Sequence, residues 1–319
     1  MNTQKYGIGV DLGGTKIATA LIDSEGRVLA RTSCLTEAQE GVEKVLERMY
    51  KTVEDVLLEA GIELNEIAGI GIGSPGPLDS KTGIVHSAPN LGWKNVPLGD
   101  LFRQRFQVPI YVGNDANLAG LGEKWLGAGK NVGSLLYLTV STGIGGGIII
   151  DGKIHTGSHD IAGEVGHIIV KRDGPLCGCG SRGCLEAIAS GTAIAREAKA
   201  GIARGESPLL AKLAGDGEPN AKLVGEAARN GDPFSTKLLE DAFTYLGLGI
   251  VSLLNVLDPE MVVIGGGVSN LDDLLFDPVR RVVKENLGTS PLGDVPIVKA
   301  ELGADVGVLG AAMLVVAQN

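Results

Sequence analysis

The sequence predicts an α/β protein built from two similar halves. Three observations carry this. Apolar strands alternate with amphipathic helices along the chain. Gly is abundant, 49 residues, with no Gly-X-Y period, as expected for many tight strand–helix turns. The segment V-D-L-G-G-T at 10–15 lies over V-S-T-G-I-G at 140–145, each within a strand–turn–strand unit. At 319 residues and 44% hydrophobic, the chain suits about two domains, each with its own core.

The elements follow in order. Residues 6–12 read as a buried strand, 13–16 as a turn, and 17–22 and 27–34 as two further strands. Val42, Val45, Leu46, Met49, Val53, Val56 and Leu57 keep helical spacing, so a helix is expected over about 37–60. The strand at 67–73 runs into a Gly/Pro loop, S-P-G-P-L-D. After the strand at 108–112, Asn114 and Asp115 open a helix. The second unit repeats the plan over 134–154. Helices are then expected near 191–204, 220–229 and 233–257, the last with Asp232 as N-cap and Pro233 in its first turn. A strand M-V-V-I-G-G-G, a helix near 271–287, a strand at 296–300 and a helix from about Val306 complete the chain. The expected division is a small domain over 1–115, completed by the C-terminal helix over about 303–319, and a large domain over 116–302. A cleft is expected between them.

The net charge of −10 argues against a nucleic-acid or anionic-membrane partner. The first residues carry no apolar signal region, and the longest apolar runs fall short of the ~20 residues that span a bilayer. A soluble cytoplasmic protein is expected.

Glycine at a hairpin turn lets a phosphate approach backbone N–H groups that a Cβ would screen. Gly13, Gly14 and Thr15 suit one part of a polyphosphate, and Thr142 and Gly143 another. Either turn alone is usually only a turn, and neither matches the P-loop or dinucleotide fingerprints. Their recurrence at matching places is what favours phosphate. Lys16 either meets a phosphate or points outward. Asp11 would repel phosphate and fits better as an outer ligand of Mg²⁺. Gly265, Gly266 and Gly267 follow a strand and precede a helix; they either lie flat against a nucleobase or ribose or serve helix–strand packing.

Asp115 at a strand end is either part of a helix cap or a base that takes a proton from a substrate hydroxyl, with Asn114 orienting that hydroxyl. Cys177, Cys179 and Cys184 crowd one short stretch, and His167 lies ten residues earlier. Together they suit a closed Cys₃His zinc site of the structural type; a redox role is the alternative. Zinc would pin the segment that carries Glu164 and Glu186, whose carboxylates can accept from the hydroxyls of a polyol. If one His167 nitrogen holds zinc, the other can donate to a substrate. Cys34, His86, His155 and His159 read as structural or surface residues.

The motifs D-L-G-G-T-K, G-S-P-G-P-L-D, G-N-D-A-N, S-T-G-I-G-G-G, A-G-E-V-G-H, C-G-C-G-S-R-G-C-L-E and G-G-G-V come in the order found in the ROK family of sugar kinases. The resemblance covers essentially the whole chain and is strongest to the bacterial glucokinases of that family. It implies a duplicated actin-like, ribonuclease H-like (ASKHA) two-domain fold and ATP-dependent phosphorylation of glucose on its 6-hydroxyl, with Asp115 as general base. It implies sugar contacts from Gly76, Asn90, Asn114, Asp115, Glu164, His167 and Glu186. Phosphate contacts would come from residues 13–16 and from Thr142 and Gly143, and nucleotide contacts from Gly265, Gly266 and Gly267. Zinc would sit on His167, Cys177, Cys179 and Cys184, and the family is often a homodimer or homotetramer. Ser141 stands where relatives often carry Gly. N-acetylmannosamine kinase, fructokinase and allose kinase are the rival activities, and ADP or polyphosphate the rival donors. A sugar-responsive repressor of the same family is disfavoured, because only ten residues precede Asp11 where a helix-turn-helix domain would stand.

Overall fold

The structure is a computed structural model that describes residues 6–317. In chain order it contains β1 (Tyr6–Leu12), β2 (Lys16–Asp23), β3 (Val28–Leu35), α1 (Val42–Ala60), β4 (Ile67–Ser74), β5 (Leu78–Asp79), β6 (Ile84–Ala88), β7 (Trp93–Val96), α2 (Leu98–Phe106), β8 (Ile110–Asn114) and α3 (Asp115–Leu126). Then come β9 (Leu135–Val140), β10 (Ile144–Ile150), β11 (Lys153–Ile154), α4 (Leu185–Ala189), α5 (Gly191–Ala203), α6 (Pro208–Ala214), α7 (Ala221–Arg229), α8 (Pro233–Leu257), β12 (Met261–Gly265), α9 (Asp273–Leu287), β13 (Ile297–Lys299) and α10 (Val306–Val316).

Two five-stranded sheets share one topology. The first runs β3-β2-β1-β4-β8 and the second β11-β10-β9-β12-β13. In the first, β1 pairs antiparallel with β2 and parallel with β4, which is parallel to β8. In the second, β9 and β12 are parallel, as are β12 and β13. This repeated order is that of the actin-like fold, and the duplication expected from the two Gly-rich hairpins is present in the strands themselves. A small sheet, β5-β6-β7, stands apart from both.

Contacts divide the chain into two compact units. One comprises Met1–Asn131, Gly147–Gly163 and Glu301–Asn319; the other comprises Val132–Gly146 and Glu164–Ala300. The sequence reading put the divide near residue 115, whereas α3 packs with the first unit. The physical reason lies in α3 itself. Gly122 on α3 lies against Gly310 of α10, whose own missing side chain makes room for the Leu118 carbonyl. On its other side α10 packs over β1 and β4, where Gly9 and Gly71 bring the sheet close to Ala312 and Ala311.

The first core lies between that sheet and α1. Val45, Met49, Val53 and Val56 of α1 are fully buried with Ile8, Val10, Ile70 and Ile72. Each such side chain contributes about 1.5–3 kcal/mol by burial, more than helix propensity supplies per residue. α1 begins at Val42 and not near Glu37, because Glu37 (φ 48°) and Gly41 (φ 92°) both take left-handed-type backbone that breaks a helix. In the second unit α8 is long and apolar enough in composition to cross a bilayer, though 44% of its most apolar window is buried in the protein. Its inner residues, including Leu239, Phe243, Leu246 and Ile250, are core, and it packs on α9, α7 and α4.

Candidate active site

In the first unit, polar groups collect at the carboxyl ends of three parallel strands, where ligands of open α/β sheets bind. Asp11 on β1 pairs with Gly73 on β4, and Gly73 with Gly113 on β8; Ser74 pairs with Asn114 at the next step. Glycine beside Asp11 leaves its carboxylate room, and Gly307 on α10 does the same, since a Cβ there would collide with the Asp11 carboxylate. Asn114 is the N-cap of α3: its Oδ1 accepts from the N–H of Ala116 at 3.0 Å and of Asn117 at 3.2 Å. Asp115 Oδ1 accepts from the same Ala116 N–H at 2.8 Å. The structure thus brings Asp11, Asn114 and Asp115 together.

Burial, then the charge of Asp115, push the Asp11 carboxyl up from its ordinary 3.8 to about 6, against the pull of Lys16. Two carboxylates that disfavour one another's ionisation make a place that a divalent cation relieves.

The Gly13–Thr15 turn follows Asp11 directly. Gly13 N–H donates to the Lys16 carbonyl at 2.9 Å, which closes the turn. Thr36, wholly buried after β3, holds it from behind: its N–H donates to the Thr15 carbonyl at 2.9 Å and its hydroxyl to the Gly13 carbonyl at 2.7 Å. No motif pointed to Thr36. A Cβ on Gly14 would stand 3.0 Å from Asn90 Nδ2, so Asn90, in the short helical turn before β7, packs against the Gly13–Thr15 turn. Gly76 has φ 84°, and any Cβ there would overlap the Ser87 carbonyl of β6. Lys16 is exposed and lines a groove with Arg31 and Asp305.

The second unit carries the matching turn, Ser141–Gly143, between β9 and β10. Ser141 N–H donates to the Gly143 carbonyl at 2.9 Å, and the Ser141 carbonyl accepts from Gly191 N–H at 2.7 Å. Thr192 N–H reaches the Thr142 carbonyl at 3.3 Å. Gly266 (φ 84°) sits where a Cβ would overlap the backbone of Val140, so the Gly265–Gly267 segment lies directly against the end of β9. Glu186, at the start of α4, accepts the Ile144 N–H on Oε2 at 2.9 Å.

Close by, His167, Cys177, Cys179 and Cys184 present four ligand atoms that all lie within 4.8 Å of one another. Cys177 Sγ is 3.7 Å from His167 Nδ1, and Cys179 Sγ is 3.6 Å from Cys184 Sγ. Zn–S bonds of about 2.3 Å and a Zn–N bond of about 2.0 Å place tetrahedral ligand atoms roughly 3.5–3.8 Å apart, close to both of these separations, so the donor set fits zinc. Nδ1 faces the sulfurs, while Nε2 points to Glu164, 3.8 Å from its Oε2. Burial pushes the Cys184 thiol up to about 12 and raises Cys177, while the Ser181 N–H brings Cys179 down to about 7. A cation here would take the place of protons the cluster otherwise holds. The knuckle is kept by Cys177 N–H to the Ser181 carbonyl at 2.8 Å and by Leu185 N–H to the Ile168 carbonyl at 2.9 Å.

The profile of the ROK family matches residues 7–318. A curated protein named glucokinase from Thermotoga maritima is 40% identical over 97% of this chain and 96% of its own length. The crystal structure of a ROK family glucokinase from Streptomyces griseus, in complex with glucose and AMPPNP, is 37% identical, covers 97% of this chain and 98% of that one, and superposes with a TM-score of 0.80. The ROK hexokinase of Thermus thermophilus is 35% identical, covers 97% of both chains, and has a TM-score of 0.84.

Proposed function

The chain belongs to the ROK family, and on that premise we propose that it is a glucokinase, which moves the γ-phosphoryl group of ATP to the 6-hydroxyl of glucose. Relatives of that name match over nearly the full length. The observation that carries the chemistry is the Asp11–Asn114–Asp115 group at the strand ends, with a glycine turn directly after Asp11.

In this reading Asp115 accepts the proton of the 6-hydroxyl as that oxygen bonds to the γ-phosphorus. The bond from the γ-phosphorus to the bridging oxygen breaks, and ADP leaves with the electron pair. Asn114, its oxygen engaged by the helix cap, turns its NH₂ to the sugar. Gly76, Asn90, Glu164, His167 and Glu186 are the residues assigned to the remaining sugar oxygens. Phosphates lie on the N–H groups of Gly13, Gly14 and Thr15, with Lys16 as a countercharge, and on Thr142 and Gly143. Gly265, Gly266 and Gly267 face the nucleoside.

Mg²⁺ supplies charge neutralisation on the phosphates; Asp11 would hold its water shell. Zinc supplies rigidity; His167, Cys177, Cys179 and Cys184 would hold it, so that Glu164 and Glu186 stay placed for the sugar. ADP release measured across glucose, mannose, fructose, allose and N-acetylmannosamine tests the proposal. Glucose should give the highest kcat/KM; a higher value with N-acetylmannosamine would reassign the substrate.

A further inference from the structure

Glu186 makes two contacts at once in the second unit, one with each carboxylate oxygen. Its Oε2 accepts the Ile144 N–H at 2.9 Å, immediately after the Ser141–Gly143 turn. Its Oε1 lies 3.8 Å from Cys177 Sγ, on the side of the Cys₃His cluster. Gly143 is what lets the carboxylate in, because a Cβ there would overlap Oε2. The following segment holds the same turn twice more, through Gly191 N–H to the Ser141 carbonyl and Thr192 N–H to the Thr142 carbonyl. Glu186 is therefore a side-chain part of a brace whose other described hydrogen bonds come from backbone.

We infer that Glu186 couples hexose binding to triphosphate binding: the carboxylate that receives the sugar hydroxyls also fixes the turn that receives the phosphates. The inference rests on the proposed sugar contact of Glu186. The physical argument is one of shared order. The Ile144 N–H bond ties the carboxylate and the turn amide into one unit, so that a ligand restraining either one also restrains the other. A sugar hydroxyl on that carboxylate in turn restrains it, and with it the turn amide. The ordering cost is met once for both ligands, so each ligand tightens the other. Linkage requires the effect to be equal in both directions.

The test measures glucose and AMPPNP affinities separately on the full chain loaded with zinc. Gly143→Ala lies in the turn assigned to phosphate, yet it should weaken glucose binding about tenfold with no nucleotide present. Glu186→Ala lies at the sugar, yet it should weaken AMPPNP several-fold with no sugar present, and Gly143→Ala should add nothing to the glucose defect in its background. Glu186→Gln keeps an acceptor for Ile144 N–H and should restore AMPPNP affinity but not glucose affinity. Zinc content and thermal midpoint confirm that each variant is folded. Should Gly143→Ala fail to fold, the AMPPNP affinity of Glu186→Ala decides alone. Wild-type glucose affinity in Gly143→Ala, or wild-type AMPPNP affinity in Glu186→Ala, overturns the coupling. Wild-type glucose affinity in Glu186→Ala instead removes the sugar contact on which the inference rests, and does so separately from the turn.

Discussion

The two glycine turns occupy the same place in the same five-strand topology, yet they are held differently. The first is backed by Thr36, a neutral residue that contributes one N–H and one hydroxyl. The second is backed by Glu186, a carboxylate that also borders the Cys₃His cluster. The acid residue is exchanged too. Asp11 precedes the first turn, and Ser141, at the matching place in the sequence, opens the second. Duplication supplied two backbone cradles. Different side chains stand behind the two: Thr36 at the first and Glu186 at the second. Backbone topology repeats the turn, and the residue behind each turn fixes what else in the protein that turn is linked to.

The comparison yields predictions that differ in size. Asp115→Ala should lower kcat about 10³-fold with the folded structure retained, since a positioned general base is worth roughly 10²–10⁴. Near-normal turnover would remove Asp115 from the chemistry. Cys179→Ser should lower bound zinc and weaken glucose about tenfold, because orientation around a metal is typically worth 10–100-fold. It should leave the first turn untouched. Loss of metal with unchanged glucose affinity would sever the cluster from the second unit's carboxylates.

Asp11 gives a pH test. Its native carboxyl keeps a proton up to about pH 6, whereas in the unfolded chain it releases it near the ordinary 3.8. The native state therefore binds more protons between these values, and stability should fall as pH rises through that window. Under the proposed mechanism activity has the opposite slope, because the carboxylate form is the one that would order Mg²⁺. kcat/KM should rise with an apparent pKa near 6, and urea midpoints of Asp11→Asn should lose the matching slope. The smallest effect is expected at the neutral brace. Thr36→Val removes one hydroxyl bond, costs about 1 kcal/mol of stability, and should raise the KM for ATP a few-fold while glucose affinity stays the same. Equal loss for both ligands would mean that the two braces are not distinct.

Much of this was legible in the sequence, for reasons that can be named. The paired hairpins declared themselves because a turn that needs glycine next to an apolar strand is a local pattern, and α8 did so through Asp232, Pro233 and its helical period. The β5-β6-β7 sheet did not, because its strands are two to five residues long and broken by Gly83, Pro89 and Gly92. α2 and α6, with nine and seven residues, were too short for periodicity to separate from noise. At the site, the Cys and His spacing was readable because metal ligands cluster in sequence. Thr36 and the Glu186–Ile144 bond were not, since they join residues 23 and 42 positions apart whose types say nothing of the contact.

The central claim is a placement: the Asp115 carboxylate against the oxygen that attacks phosphorus. A crystal structure of this chain with glucose and AMPPNP tests it most directly. The account predicts an Asp115 carboxylate oxygen about 2.6–3.2 Å from the glucose 6-oxygen. A ternary complex with that carboxylate beyond hydrogen-bonding reach, and another base in its place, would contradict it.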